Sequence, residues 1–423
     1  MKILWLWLVA GGIARGDGAG NRPLILVPGL TGSALEVQER DAPMPHFWCK
    51  RSTSNDWMQI WVSPVQALPW EIDCLMARMT LTYDAATDVY SNLAGVELRA
   101  RGWGNGTANG KSHKDILYNY QFDTMLHHLQ QNLGYELGTD VFLAPYDWRL
   151  AGDAHSKPAN GVGGYYRQLQ GLIERTVQAS GERAVVLSHS LGCPTMLAFF
   201  NSYVSEDWRA QHIHGWVALS GPWMGGATQI AAYLGGWTLG LPSWLIPHDY
   251  VQRVQVNASS GVWMSPHPDA FGEAVLVETP SRNYTAADVP DMLRKIGVKA
   301  GGNQTASLFA KLQKPLAKLQ HAPKNVPLQN WYSTGIRTAE ALVFDSDIVE
   351  GFDKAATKTR YGDGDGLVNL LSLVQVEKVW PQSLLVSTRR FPNCSHFGIL
   401  SDERVLKDLV SYLARNTSAE IFV

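Results

Sequence analysis

Three residues able to split an ester lie far apart in this chain. Ser190 stands in Ser188-His189-Ser190-Leu191-Gly192, Asp365 in Gly362-Asp363-Gly364-Asp365-Gly366, and His396 directly after Asn393-Cys394-Ser395. A serine hydroxyl attacks a carbonyl only when an imidazole takes its proton, and the imidazole needs a carboxylate to fix its tautomer. Serine, acid, histidine is one of the chain orders in which this chemistry occurs. Asp363 competes with Asp365, which is preferred because a Gly and the apolar pair Leu367-Val368 follow it. The non-catalytic reading of Asp365-Gly366 is a hairpin turn. A calcium loop of EF-hand type is excluded, because the further ligands and the closing Glu are missing. His189, His212, His214, His267 and His321 compete with His396. His189 adjoins the serine but is expected to point away from the bend. His212 and His214 precede a strand that has no matching acid.

These residues need elements to position them. Ala184-Val185-Val186-Leu187 is a short apolar run that reads as a buried strand. The chain then turns through small residues into a helix start, with Pro194 in the first turn, where its missing N–H costs nothing. Strand, sharp turn with Ser at the apex, then helix is the nucleophile elbow of the α/β-hydrolase fold, with Ser188 in the first Gly position of G-x-S-x-G. Pro23 to Val27 is another strand, closed by Pro28-Gly29. In that fold the loop after an early strand and the residue after the nucleophile supply the oxyanion N–H groups, here Leu30 and Leu191. Further strands are expected at Gly95–Arg99, Val141–Ala144, Gly215–Leu219, around Trp331 and near Leu385. Helices are expected at Phe122–Leu133, Tyr165–Ala179, Asp288–Ile296 and Asp402–Leu413. The alternation gives an α/β architecture with a mostly parallel sheet and helices on its faces.

Composition narrows the partners. Net charge is −2 with 17% charged residues, so nothing points to nucleic acid. No metal-type spacing occurs among the four cysteines, and no cofactor is implied. Met1-Lys2, an apolar run to Ala10 and small residues after it read as a signal peptide over residues 1–19. Sequons at Asn105, Asn257, Asn283, Asn303 and Asn416 fit a secretory route. In an oxidising compartment Cys49 and Cys74 are expected to pair, which is worth roughly 3 kcal/mol for a loop of this length. Trp57, Trp61 and Trp70 lie between those cysteines and Trp48 just before them. So apolar a loop either packs on the core or enters a lipid interface. In Tyr146-Asp147-Trp148-Arg149, Asp147 and Arg149 are either an internal ion pair or contacts for a polar head group.

With these residues in place, the chain resembles the family of lecithin:cholesterol acyltransferase and lysosomal phospholipase A. The resemblance runs from about Pro23 to the C-terminal helix. It is carried by Val27-Pro28-Gly29, the Cys49/Cys74 region with Trp61, Ala144-Pro145-Tyr146-Asp147-Trp148-Arg149, His189-Ser190-Leu191-Gly192, Ser220-Gly221-Pro222-Trp223, Gly362 to Gly366 and Ser395-His396. Departures are Leu30, Leu75 and the Met224 inserted before Gly225-Gly226. The resemblance implies an α/β-hydrolase core over 20–45, 85–221 and 329–423. It also implies a lid or membrane-binding excursion over 46–84 and a cap insertion over 222–328. It implies acyl transfer from a glycerophospholipid at a membrane or lipoprotein surface, through Ser190, His396 and Asp365, to water or an alcohol such as a sterol. The implied location is the secretory pathway, either secreted or in a lysosomal or vacuolar lumen. Two rivals use the same residues differently: a neutral-lipid esterase, and a lipid-binding protein with a silent triad.

Overall fold

The computed structural model describes residues 21–104, 121–157, 164–235, 248–296, 304–312, 321–380 and 385–415, apart from Val62, Pro64, Ala67, Ala85, Ala310 and Asp353. The expected signal peptide and the sequons at Asn105, Asn303 and Asn416 lie outside these residues.

Six strands make the central sheet: β1 (Leu24–Val27), β2 (Val141–Leu143), β3 (Ala184–His189), β4 (Ile213–Leu219), β5 (Leu328–Thr334) and β6 (Leu385–Pro392). Their order is β6-β5-β4-β3-β1-β2, and every neighbouring pair is parallel. A parallel sheet is covered on both faces, so its strands read as continuous apolar runs without alternation. β1 and β3 are buried at every residue. Successive side chains still point to opposite faces. Leu24, Leu26, Val185 and Leu187 pack with Leu129, Leu133, Leu406 and Leu409 of helices Asp123–Leu133 and Glu403–Arg415. Ile25, Val27 and Val186 pack on the other side with Leu169 and Ile173 of helix Tyr165–Ser180 and Met196 of helix Gly192–Ala198.

The chain runs from β1 outward to β2 and then returns to the far side of β1 with β3. Such a reversal leaves a crevice outside the carboxyl ends of the strands, where open α/β sheets bind ligands. Here that crevice lies beyond Val27 and His189, next to Leu30 and Ser190.

Two further layers flank this end. In the first, Leu35–Glu39 pairs antiparallel with Met58–Trp61 and with Val96–Ala100. The segment that follows carries helix Ile72–Met79, and a Cys49–Cys74 disulfide closes the excursion. Arg78 fastens it from inside. Its guanidinium is buried and donates to Glu39 Oε1 at 2.9 Å and Gln66 Oε1 at 2.7 Å. In the second, helices Thr228–Gly235 and His248–Asn257 pack together beside a four-stranded sheet. That sheet orders Asn283–Tyr284, Val277–Glu278, Thr338–Val343 and Lys358–Gly362. Two strands of this sheet, Val277–Glu278 and Asn283–Tyr284, come from the expected cap span 222–328. The other two, Thr338–Val343 and Lys358–Gly362, come from the span 329–423.

Candidate active site

The elbow is built by steric necessity. Ser190 has φ 52°, in the left-handed region where non-glycine residues are strained. A Cβ on Gly192 would lie 2.7 Å from Pro28 O and 2.8 Å from Val27 O, so strand β1 admits only glycine there. Ser188 replaces the usual first glycine because its hydroxyl has buried partners. It accepts from Trp216 Nε1 at 2.8 Å and bonds Cys193 Sγ at 3.3 Å. Cys193 is thereby a packed, inert thiol, and burial pushes its pKa up to about 12.

The acid arrives on a tight loop after the cap sheet. Asp365 is fully buried. Its Oδ1 accepts Leu367 N at 3.0 Å and Val368 N at 2.7 Å, which leaves Oδ2 for His396 Nδ1 at 2.7 Å. Asp363 faces elsewhere, accepting Gly335 N at 2.6 Å. His396 follows β6, and its backbone N–H donates to Asp365 O at 2.8 Å, so acid and imidazole are tied by main chain as well as side chain. His396 Nε2 stands 2.8 Å from Ser190 Oγ. The tautomer with its proton on Nδ1 satisfies both contacts: Nδ1–H donates to Asp365 and Nε2 accepts from the serine hydroxyl.

His189 does not simply turn away, as the sequence led one to expect. Its ring packs against that of His396 at 4.9 Å between centroids, and its Nε2–H donates to His396 O at 2.9 Å. Burial, with the neighbouring His396 adding to it, depresses its pKa to about 3, so it remains a neutral prop. Nothing in the sequence signals a contact spanning 207 positions.

Ser190 and His396 open on a cavity of about 40 Å³, also lined by Leu30, Met264, Val368 and Phe397. The lining is mostly apolar, with Thr228, Gln229 and Gln255 as its polar part. Leu30 sits in the turn after β1 and Leu191 caps the elbow helix, where first-turn N–H groups lack intrahelical partners.

The remaining predicted residues divide. Arg149 is buried, and its guanidinium is spent on Asp147 Oδ1 and Oδ2 (2.9 and 2.7 Å), Asn92 Oδ1 and Met79 O. The pair is an internal brace. In the excursion, Trp61 packs edge-on to Trp148 at 5.4 Å, and Arg99 lies over Trp57 at 3.9 Å. Trp48 and Trp70 are 47% and 60% exposed, beside Phe47 at 87%, so these rings face outward. The excursion thus packs some of its rings inward and leaves others facing outward. Among the described residues no group of acids, histidines and cysteines is arranged to hold a metal, and no helix is long and apolar enough to cross a membrane.

Residues 57–308 match the family model for lecithin:cholesterol acyltransferase. Lecithin-cholesterol acyltransferase-like 1 of Arabidopsis thaliana is 31% identical, over 94% of this chain and 90% of that protein. Lysosomal phospholipase A and acyltransferase of Bos taurus is 30% identical, over 94% and 92%. Among solved structures, the Tle4-Tli4 complex aligns over 96% of this chain and 100% of that one with a TM-score of 0.59 at 12% identity, a likeness of fold. Matched motifs, an α/β-hydrolase core and relatives spanning almost the whole chain place this protein in the lecithin:cholesterol acyltransferase family.

Proposed function

We propose that this enzyme moves a fatty acyl chain from a glycerophospholipid to water or to an alcohol, with Ser190, His396 and Asp365 as its catalytic residues. The observation that carries the reading is the buried relay Asp365–His396–Ser190, at 2.7 and 2.8 Å, opening on an apolar cavity. Ser190 Oγ attacks the ester carbonyl as its proton passes to His396 Nε2, and Asp365 stabilises the imidazolium. The carbonyl oxygen becomes an oxyanion aimed at the N–H groups of Leu30 and Leu191. His396 then protonates the departing lysophospholipid oxygen, leaving an acyl-Ser190. Water or an alcohol gives its proton to His396 and attacks the acyl carbon, and His396 returns that proton to Ser190 Oγ as the acyl–Oγ bond breaks. Phe47, Trp48 and Trp70 are the rings that would enter the lipid surface and bring the ester within reach. The names of the relatives support a phospholipid donor, and the lysosomal relatives support a lysosomal setting, which we propose alongside a secreted or vacuolar one.

The test is incubation with acyl-labelled phosphatidylcholine and a mixture of alcohols. Free fatty acid and acylated alcohol are expected, with Ser190→Ala slower by at least about a thousandfold. Turnover of triacylglycerol but not of phosphatidylcholine would replace the donor with a neutral lipid. Lipid binding without fluorophosphonate labelling of Ser190 would remove the triad.

A further inference from the structure

The turn carrying Leu30 is strained and is held from two sides. Gly32 N–H donates to Gly29 O at 3.0 Å, closing a four-residue turn, and Thr31 inside it has φ 63°. A β-branched residue in the left-handed region persists only where its surroundings over-determine it. Two side chains supply that restraint. Gln121, just ahead of helix Asp123–Leu133, accepts Gly29 N–H on Oε1 at 3.3 Å. Its amide also fills the space beside Gly32, where an added Cβ would lie 2.1 Å from Oε1. Trp61 donates Nε1–H to Thr31 O at 2.9 Å from the end of strand Met58–Trp61. Gln121 Nε2 is buried and has no hydrogen-bond partner among the described residues. An amide kept at such cost while its other end grips the turn is more than filling.

We propose that Gln121 and Trp61 are positioning residues for the oxyanion: together they aim the Leu30 N–H at the charge that develops on the carbonyl oxygen. The inference rests on the triad and oxyanion reading given above. A donor serves only within about 2.7–3.1 Å of where the oxyanion forms, and a misplacement of about 1 Å can cost on the order of a hundredfold. Relaxation of Thr31 would move the adjoining Leu30 N–H off its aim. Trp61 lies in the disulfide-tied excursion that carries the outward aromatic rings, so one grip on the turn comes from the lipid-facing part of the molecule.

The test uses the full chain with Gln121→Met and Trp61→Phe, which keep bulk and remove the acceptor and the donor. Three quantities are read: kcat and KM on a soluble short-chain ester, Ki for an alkylboronic acid, and affinity for vesicles of diether phosphatidylcholine. The boronic acid forms a tetrahedral adduct with Ser190 that mimics the oxyanion, whereas the diether lipid has no carbonyl to polarise. Rates are expressed per site titrated with fluorophosphonate, so that unfolded protein does not count. Each variant is expected to lose about 10–100-fold in kcat with KM within about twofold, to weaken boronate binding by the same factor, and to bind diether vesicles as the parent does. Gln121→Met with per-site rate and boronate Ki within about twofold of the parent overturns the proposal, and it decides alone if Trp61→Phe does not fold. Vesicle affinity falling in step with rate also overturns it, by placing both residues in docking. Failure of the parent to label at Ser190 strikes the triad instead.

Discussion

The approach of backbone to nucleophile at Gly29 has a consequence for single substitutions. A Cβ there would lie 2.8 Å from Ser190 Cβ and 3.0 Å from His189 Nδ1. Gly29→Ala must therefore displace either the serine or the ring that props His396. A fall in kcat of about a hundredfold is expected, with a stability loss of about 1–3 kcal/mol from overpacking. Activity on a short-chain ester within threefold of the parent would show that the elbow yields without cost. At this scale the sequence was legible where chemistry has a local signature. Turn, neighbours and order singled out Ser190, Asp365 and His396, which the fold sets within hydrogen-bond distance in sequence, while Asp363 contacts Gly335. His189, Gln121 and Trp61 as partners of the site were illegible, because each reaches its target through contacts between segments with no common periodicity.

Among the elements, the excursion closed by Cys49–Cys74 is held by its disulfide, by the buried Arg78–Glu39 pair and by pairing of Met58–Trp61 with Leu35–Glu39. Opening the disulfide removes a loop constraint worth roughly 3 kcal/mol and loosens the part that carries Trp48 and Trp70. The Cys49→Ser, Cys74→Ser double variant is expected to keep fluorophosphonate labelling of Ser190 and to lose about tenfold or more on phosphatidylcholine vesicles. On a soluble short-chain ester it should lose less, about threefold. Equal losses on both substrates would assign the excursion a purely structural role. The strands and helices of the core were readable because apolar runs and helical spacing are strong over their length. Helix Tyr165–Ser180 and helix Glu403–Arg415 fall within two residues of expectation at either end. The cap sheet was not, since Val277–Glu278 and Asn283–Tyr284 are two residues each, the second paired to the first and the first to Thr338–Val343 from far along the chain. The π-turn at Phe199–Tyr203, after the elbow helix, likewise leaves no mark in composition.

For the molecule as a whole, two buried neutral histidines set a direction for stability with pH. His189 has a pKa depressed to about 3 and His155 to about 4, in both cases chiefly by burial, against about 6.5 in an unfolded chain. Below about pH 6.5 the unfolded chain binds protons that the folded one refuses. The stability these rings contribute is complete above pH 6.5 and is lost as pH falls from there toward 3–4. The melting temperature is expected to decline between pH 6.5 and 4.5. The decline should be shallower in His155→Phe, which keeps the ring against Tyr146 and Tyr165. Superposable profiles for parent and variant would exclude His155 as a source. An acidic lumen, one of the two proposed settings, would therefore lower the stability of this protein.

His396, the proposed base, stands 206 positions beyond Ser190, the proposed nucleophile, on the loop after a strand whose sheet neighbour is β5. A ribosome that has finished the elbow, the cap and the acid loop still holds a chain unable to deprotonate its serine. On the proposed triad, the capacity for acyl transfer is therefore absent from a nascent chain that still lacks β6. It is acquired only when the last strand is delivered and docks. With Ser190, His396 and Asp365 acting as proposed, the sequential arrangement of the three groups makes activity wait on the docking of β6 beside β5.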